Sequence, residues 1–119
     1  MGYIKVKAKV SNPIDRSKSI MIELLADTGA IYTAIPEDIL KKLGITPHGK
    51  RKFKIASGEM MELPIGEAYI EIKGEGATSI VAFLPKGSTA LLGVTTLELL
   101  GLKVDPVTGE LKPLELFLL

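Results

Sequence analysis

Asp27 follows the apolar segment Leu24-Leu25-Ala26 and opens Asp27-Thr28-Gly29-Ala30. A carboxylate set directly behind a buried strand is costly unless it is hydrogen-bonded or used in chemistry. Taken alone, Asp-Thr-Gly also reads as a strand-end turn or a helix cap, because Asp and Gly are turn residues. Other chemistries lack their parts. His48 is the only histidine, so a Ser-His-Asp triad could use no other, and it lies in the basic loop Thr46-Pro47-His48-Gly49-Lys50-Arg51. Asp15, Asp27, Asp38 and Asp105 are scattered, and one histidine cannot support a zinc cluster, so no metal site is expected. Cysteine is absent, which removes disulfides, thiolate ligands and a cysteine nucleophile. No Gly-rich turn precedes Lys-Ser or Lys-Thr at a helix start, so the sequence offers no phosphate loop and no cofactor is expected.

The elements around Asp27 are mostly strands. Tyr3 to Val10 alternates, with Ile4, Val6, Ala8 and Val10 on one face and Lys5, Lys7 and Lys9 on the other. Ser11-Asn12-Pro13 begins a polar turn, and Ile20 to Ala26 reads as a buried strand ending at Asp27. Lys52 to Ala56 and Met60 to Leu63 flank Ser57-Gly58 as a hairpin. Ala68 to Ile72 and Ile80 to Leu84 are further strands about the Gly74-Glu75-Gly76 turn, and Glu110 to Leu118 is extended and apolar. Two short helices interrupt them. Pro36 to Gly44 has Pro at its start, acids in its first turn, lysines in its last and Gly as stop. Thr95 to Gly101 begins with a Thr95–Glu98 capping box and also stops at Gly. Leu43-Gly44 and Leu100-Gly101, each before an apolar residue, hint at two similar halves.

Composition bounds the function. The chain has 119 residues, expected to form one domain over 1–119; 46% are hydrophobic, enough for a packed core. The net charge is +1, with lysines spread along the chain, so nucleic-acid binding has no electrostatic support. Apolar runs fall short of the roughly 18–20 residues that cross a bilayer. The charged, alternating start is not a signal peptide, so no membrane association and a cytoplasmic location are expected. One Asn, no Gln and dominant Lys and Glu resemble a thermophile's composition.

Taken together, these motifs resemble the retropepsin-like (retroviral-type, clan AA) aspartic proteases, in their small single-domain prokaryotic form. Asp27-Thr28-Gly29-Ala30 matches the catalytic motif, Leu91-Leu92-Gly93 the second apolar-apolar-Gly motif, and Lys52 to Leu63 falls where the flap lies. The likeness runs from Tyr3 to Pro113. It implies an all-β, closed-barrel protomer with one or two short helices, paired in a symmetric homodimer. It implies an aspartic endopeptidase in which two copies of Asp27 form a water-activating dyad, and an extended peptide or protein as substrate. Thr28 would bond across the dimer, and Gly29 would let backbone and substrate approach the carboxylates. Leu91, Leu92 and Gly93 would support the loop, and Ala56, Ser57, Gly58 and Glu59 would close over substrate. Where viral enzymes often carry an acid and an arginine after the two motifs, this chain has Ile31 and Val94, so that charged contact is replaced by apolar contact or is absent. Leu114 to Leu119 reads equally as a dimer strand or as a strand of the protomer's own core. A non-catalytic peptide-binding or dimerisation module of the same fold is the competing reading.

Overall fold

The computed structural model describes residues 4–119, so Tyr3, the expected start of the first strand, lies outside the described residues. Ile4–Ser11 (β1) pairs antiparallel with Ser19–Ala26 (β2) from Ile4↔Ala26 to Ser11↔Ser19. The alternation in β1 is realised: Val6, Ala8 and Val10 are buried and the lysines are exposed. In β2 only Leu24 and Ala26 are buried, while Met21 and Glu23 are exposed. This strand is therefore half-buried toward its start and enters the core only as it approaches Asp27, which corrects the reading of it as buried throughout.

The remaining strands are Thr33–Pro36 (β3), Gly49–Lys54 (β4), Met60–Ile72 (β5), Glu75–Leu84 (β6), Leu91–Leu92 (β7), Leu102–Val104 (β8) and Leu111–Pro113 (β9). Of the nine strands among the described residues, β1 to β7 form one sheet in the order β1-β2-β7-β3-β6-β5-β4, and a β1–β5 pairing closes it into a ring. The length of β5 makes the closure possible. Its first half, Met60 to Ile65, pairs with β4, and Tyr69 to Glu71 pair with Ser11 to Lys9 of β1. The hairpin arm and the barrel wall are thus one continuous strand, where the sequence suggested two separate ones. Val10, Leu24, Ile35, Leu40, Ile70, Val81 and Leu92 fill the ring's core, and Ala34, Leu63, Ile65 and Ala82 form a second cluster beneath the β4–β5 arm.

Two six-residue helices pack on the ring: Glu37–Lys42 (α1) and Val94–Leu99 (α2). Gly44 and Gly101 follow them with φ of +75° and +69°, the left-handed conformation that ends a helix and that other residues adopt at a cost. The capping box expected at Thr95 and Glu98 does not form. Gly93 is the N-cap, no side chain caps α2, and the helix begins one residue before Thr95. Its first amides are instead taken by backbone carbonyls of the Asp27 loop, a tertiary partner that local pattern cannot reveal. The strand expected over Glu110 to Leu118 is also shorter. Only Leu111–Pro113 pairs, with β8, and Leu114 to Leu119 join no strand.

Candidate functional site

Two parallel strands end together at Asp27. Leu25 and Ala26 of β2 pair with Leu91 and Leu92 of β7, and the Asp27 amide donates to the Leu92 carbonyl at 3.1 Å. Beyond that point the chain leaves the sheet in a tight turn. Ala30 N–H donates to the Asp27 carbonyl at 3.0 Å, and Gly29 N–H donates to Asp27 Oδ1 at 2.9 Å. A side chain at position 29 would crowd that carboxylate, since a Cβ there would lie 3.2 Å from Oδ1. The turn leaves Asp27 half-buried with Thr28 and Gly29 exposed. Among the described residues, neither the second carboxylate oxygen nor the Thr28 hydroxyl has a hydrogen-bond partner within the protomer. One oxygen is fixed by a backbone donor and the other is open, an arrangement suited to moving a proton to or from a bound molecule.

The loop hangs from the segment that follows β7. Val94 N–H donates to the Ala30 carbonyl at 2.9 Å and Thr95 N–H to the Ile31 carbonyl at 3.0 Å. Gly93, buried, precedes them and lies against the Ile31–Tyr32 backbone. Leu92 is fully buried under the loop, and Leu91, half-buried, pairs with Ala34 across the sheet. Asp27, Thr28, Gly29 and Ala30 are therefore brought together with Leu91, Leu92 and Gly93, although the two groups lie far apart in sequence.

Ala56, Ser57, Gly58 and Glu59 sit apart from that cluster, at the tip of the β4–β5 hairpin, and all four are exposed. Gly58 N–H donates to the Ile55 carbonyl and Ile55 N–H to the Glu59 carbonyl, both at 2.9 Å, with Gly58 at φ +90°. This is a three-residue hairpin loop closed by a left-handed glycine, the geometry that Ser57-Gly58 foreshadowed. The hairpin is tied back to the Asp27 loop by an edge-to-face contact between Phe53 of β4 and Tyr32, with ring centroids 5.4 Å apart. His48 is exposed and bonds through its backbone to Ile65, away from the loop.

Sequence reasoning missed Tyr32, Phe53 and three buried hydroxyl residues. Thr33, Ser79 and Thr96 are at most 1% exposed and hydrogen-bond one another behind the loop. Their one sequence signal is a hydroxyl residue inside or beside an apolar strand, as in Thr33-Ala34-Ile35 and Ser79-Ile80-Val81. Tyr32 and Phe53 carry no such signal, because pairing across the fold depends on the register of strands distant in sequence.

The fold and this loop have counterparts among known proteins. Residues 18–99 match the family model described as "gag-polyprotein putative aspartyl protease". Among solved structures, the foamy viral protease–reverse transcriptase, determined with an RNA/DNA hybrid, superposes with a TM-score of 0.60 at 18% identity over 97% of this chain. The solution structure of the simian foamy virus (mac) protease superposes with a TM-score of 0.53 at 18% identity over 80% of this chain. The chain spans 13% of the length of the first protein and 92% of the second. No curated protein sequence matches it significantly.

Proposed function

Because this chain belongs to the gag-polyprotein aspartyl protease family, and its fold is retropepsin-like, we propose that it is an aspartic endopeptidase that works as a homodimer. The observation that carries this reading is the Asp27 turn: a half-buried carboxylate with one oxygen held by Gly29 N–H and the other open, on a loop suspended from Leu92, Val94 and Thr95. One protomer offers one such carboxylate. Hydrolysis of a peptide bond by carboxylates needs two, and a two-fold axis beside the loop supplies the second from another copy of the chain.

The two Asp27 side chains share one proton, because like charges about 3 Å apart cannot both ionise; the handling of acid and base roles by such a dyad is the standard case for aspartic proteases. The ionised carboxylate takes a proton from water as its oxygen attacks the scissile carbonyl carbon. The protonated one gives its proton to the carbonyl oxygen. When the tetrahedral intermediate collapses, the carboxyl that took the water proton gives it to the leaving nitrogen, the other carboxylate takes a hydroxyl proton as the carbonyl re-forms, and the C–N bond breaks, so the dyad again holds one proton. No cofactor or metal takes part. Thr28, exposed beside Asp27, bonds across the dimer and fixes the two loops against each other. The hairpin tip, Ala56 to Glu59, closes over an extended peptide, excludes water, and pairs with the substrate backbone as an added strand would. Residues 1–119 act as one domain, and the site of action is the cytoplasm; among the described residues no helix is long and apolar enough to cross a membrane.

The test is digestion of a peptide library by the purified protein beside Asp27→Asn. Asn can still accept the Gly29 N–H but cannot supply the proton chemistry. The variant should keep the fold and the dimer and lose cleavage. The rate of the wild type should trace a bell on the acid side of neutrality, whose limbs belong to the pair, and His48→Ala should leave that bell in place. Cleavage that survives Asp27→Asn removes the reading and leaves a peptide-binding or dimerisation module.

A further inference from the structure

We propose that a one-way chain of buried hydroxyls, running from the Gly93 amide through Thr33, Thr96 and Ser79 to the Ile80 carbonyl, is the positioning device that sets the height of the Asp27 loop. The inference rests on Asp27 being the catalytic carboxylate.

The direction of every proton in this chain follows from the acceptor at its end. A hydroxyl has one proton to donate. Ser79 Oγ lies 3.1 Å from the Ile80 carbonyl, which can only accept, so the Ser79 proton is committed there. Ser79 must then accept from Thr96 Oγ1, 2.8 Å away. The Thr96 proton is thereby committed, so Thr96 accepts from Thr33. Thr33 Oγ1, its own proton given to Thr96, accepts the Gly93 N–H at 3.0 Å. No member can reverse without breaking a bond, and all three side chains are shut off from water. Hydrogen bonds aligned head to tail in such surroundings polarise and strengthen one another.

The chain ends at the residue that bears the loop. Gly93 is pressed against the Ile31–Tyr32 backbone. Its neighbours in sequence hold the loop directly: the Leu92 carbonyl takes the Asp27 amide, and the Val94 and Thr95 amides give to Ala30 and Ile31. The relay thus ties four places together, β3 through Thr33, α2 through Thr96, β6 through Ser79, and the β7–α2 turn through Gly93. Valine would fill the space of either threonine, so packing alone does not require the hydroxyls, and burying them is costly unless each is satisfied. What the hydroxyls add over apolar groups is a fixed length and direction at Gly93. In a two-fold dimer, slack there moves both copies of Asp27 and changes their separation. The coupling that splits their proton affinities weakens as they part, so the effect appears in the pH profile as well as in the rate.

The experiment compares Thr96→Val, Thr96→Ser and the triple variant Thr33→Val/Ser79→Ala/Thr96→Val. Two readouts are taken: amide exchange of Gly93, Val94 and Thr95 followed by NMR, and the pH dependence of peptide cleavage. Thr96→Val should speed exchange at these three amides, narrow the bell, and lower kcat about ten- to a hundredfold through misplacement of the reacting groups, with KM little changed. Thr96→Ser keeps the hydroxyl and should restore both readouts. The triple variant replaces the polar groups together by apolar ones of similar shape, which keeps the fold while removing the relay; it should behave as Thr96→Val does, and decides the matter if the single variant does not fold. Wild-type exchange and an unshifted profile in a folded Thr96→Val or triple variant overturn the proposal, as does a Thr96→Ser variant as impaired as Thr96→Val, which would show that keeping the hydroxyl does not hold the loop and that shape at position 96 decides it. If the wild type cleaves no peptide, the protease reading fails, while amide exchange still decides whether the relay holds the loop: faster exchange in the variants upholds it and unchanged exchange overturns it.

Discussion

Gly93 lies against the carbonyl group of Tyr32 so closely that a Cβ on Gly93 would collide with it and come within 2.6 Å of the Ile31 oxygen as well. The obstacles are backbone atoms, held by the Val94–Ala30 and Thr95–Ile31 hydrogen bonds, so no side chain can turn aside to make room. Gly93→Ala should therefore destabilise the fold by about 1–3 kcal/mol, the usual cost of forcing added volume into a packed site. The check is urea unfolding, with a lower midpoint and an unchanged slope. A midpoint equal to that of the wild type would mean that the two segments separate freely, and the loop would lose its rigid support.

The Tyr32–Phe53 contact joins the Asp27 loop to the hairpin arm, and it should govern how freely the arm moves. Edge-to-face pairs contribute about 0.5–1.5 kcal/mol beyond the area they bury. Phe53→Leu keeps an apolar side chain and loses the ring pairing, so a double-mutant cycle with Tyr32→Leu should return a coupling energy in that range. Hydrogen exchange across Lys54 to Met61 should quicken in Phe53→Leu while the strands of the ring stay protected. Zero coupling would show that the ring contact does not hold the arm, which would then rest on the Ala34, Leu63, Ile65 and Ala82 cluster and on strand pairing.

How far the sequence revealed this molecule depended on the range of each interaction. β1, the Ala56–Glu59 hairpin tip and the glycine stops of both helices were legible because alternation and turn chemistry are local. The pairing of Asp27-Thr28-Gly29 with Leu91-Leu92-Gly93 was reached through family resemblance, since nothing in the spacing states that β2 and β7 run parallel. β3 and β7 were invisible as strands. Four buried residues in one, and two residues in the other of which Leu91 is half-buried, are too short for a period to emerge. The false capping box at Thr95 has the same origin: the local pattern was right for a helix start, and the Ala30 and Ile31 carbonyls, remote in sequence, took the amides first.

Acid sensitivity should map to the β8–β9 turn. Lys112 Nζ lies 2.9 Å from Asp105 Oδ2, and the Val107 amide donates to Oδ1 at 2.8 Å. The Lys112 hydrogen bond first, and then that amide, hold the Asp105 carboxyl at about 2, below its ordinary 3.8. A carboxylate whose affinity for protons falls on folding adds stability above its unfolded value and loses it as pH drops through the folded one. Asp105 should therefore contribute fully above about pH 4 and lose its contribution between about pH 4 and pH 2. Asp105→Asn should flatten the stability curve in that window and leave its shape above pH 5 unchanged. An identical acid limb in the variant would assign acid unfolding to other carboxylates.

The C-terminal segment supplies the test of how two copies meet. Leu114 N–H donates to the Gly101 carbonyl at 2.7 Å, and beyond it the chain pairs with no strand. Leu116 is 65% exposed and Phe117 71%, within a run of apolar residues broken only by Glu115. Of the two readings that the sequence left open, a strand in the protomer's own core does not fit residues this exposed. Unpaired apolar backbone of this kind is a template for another chain, and the dimer proposed above offers a second copy of the same segment. Phe117→Glu places a charge where an apolar surface would be buried, and should weaken dimerisation at least about tenfold, or 1.4 kcal/mol. Ile14→Glu, at a still more exposed apolar position in the β1–β2 loop, should not. Sedimentation equilibrium over a range of concentrations measures both. Cleavage by Phe117→Glu should then be low in dilute enzyme and recover as concentration rises, because the proposed mechanism takes one Asp27 from each copy. A dimer constant equal to the wild type's would exclude the segment from the interface, whereas weaker dimerisation with undiminished activity per protomer in dilute enzyme would separate catalysis from dimerisation and remove the two-Asp27 mechanism.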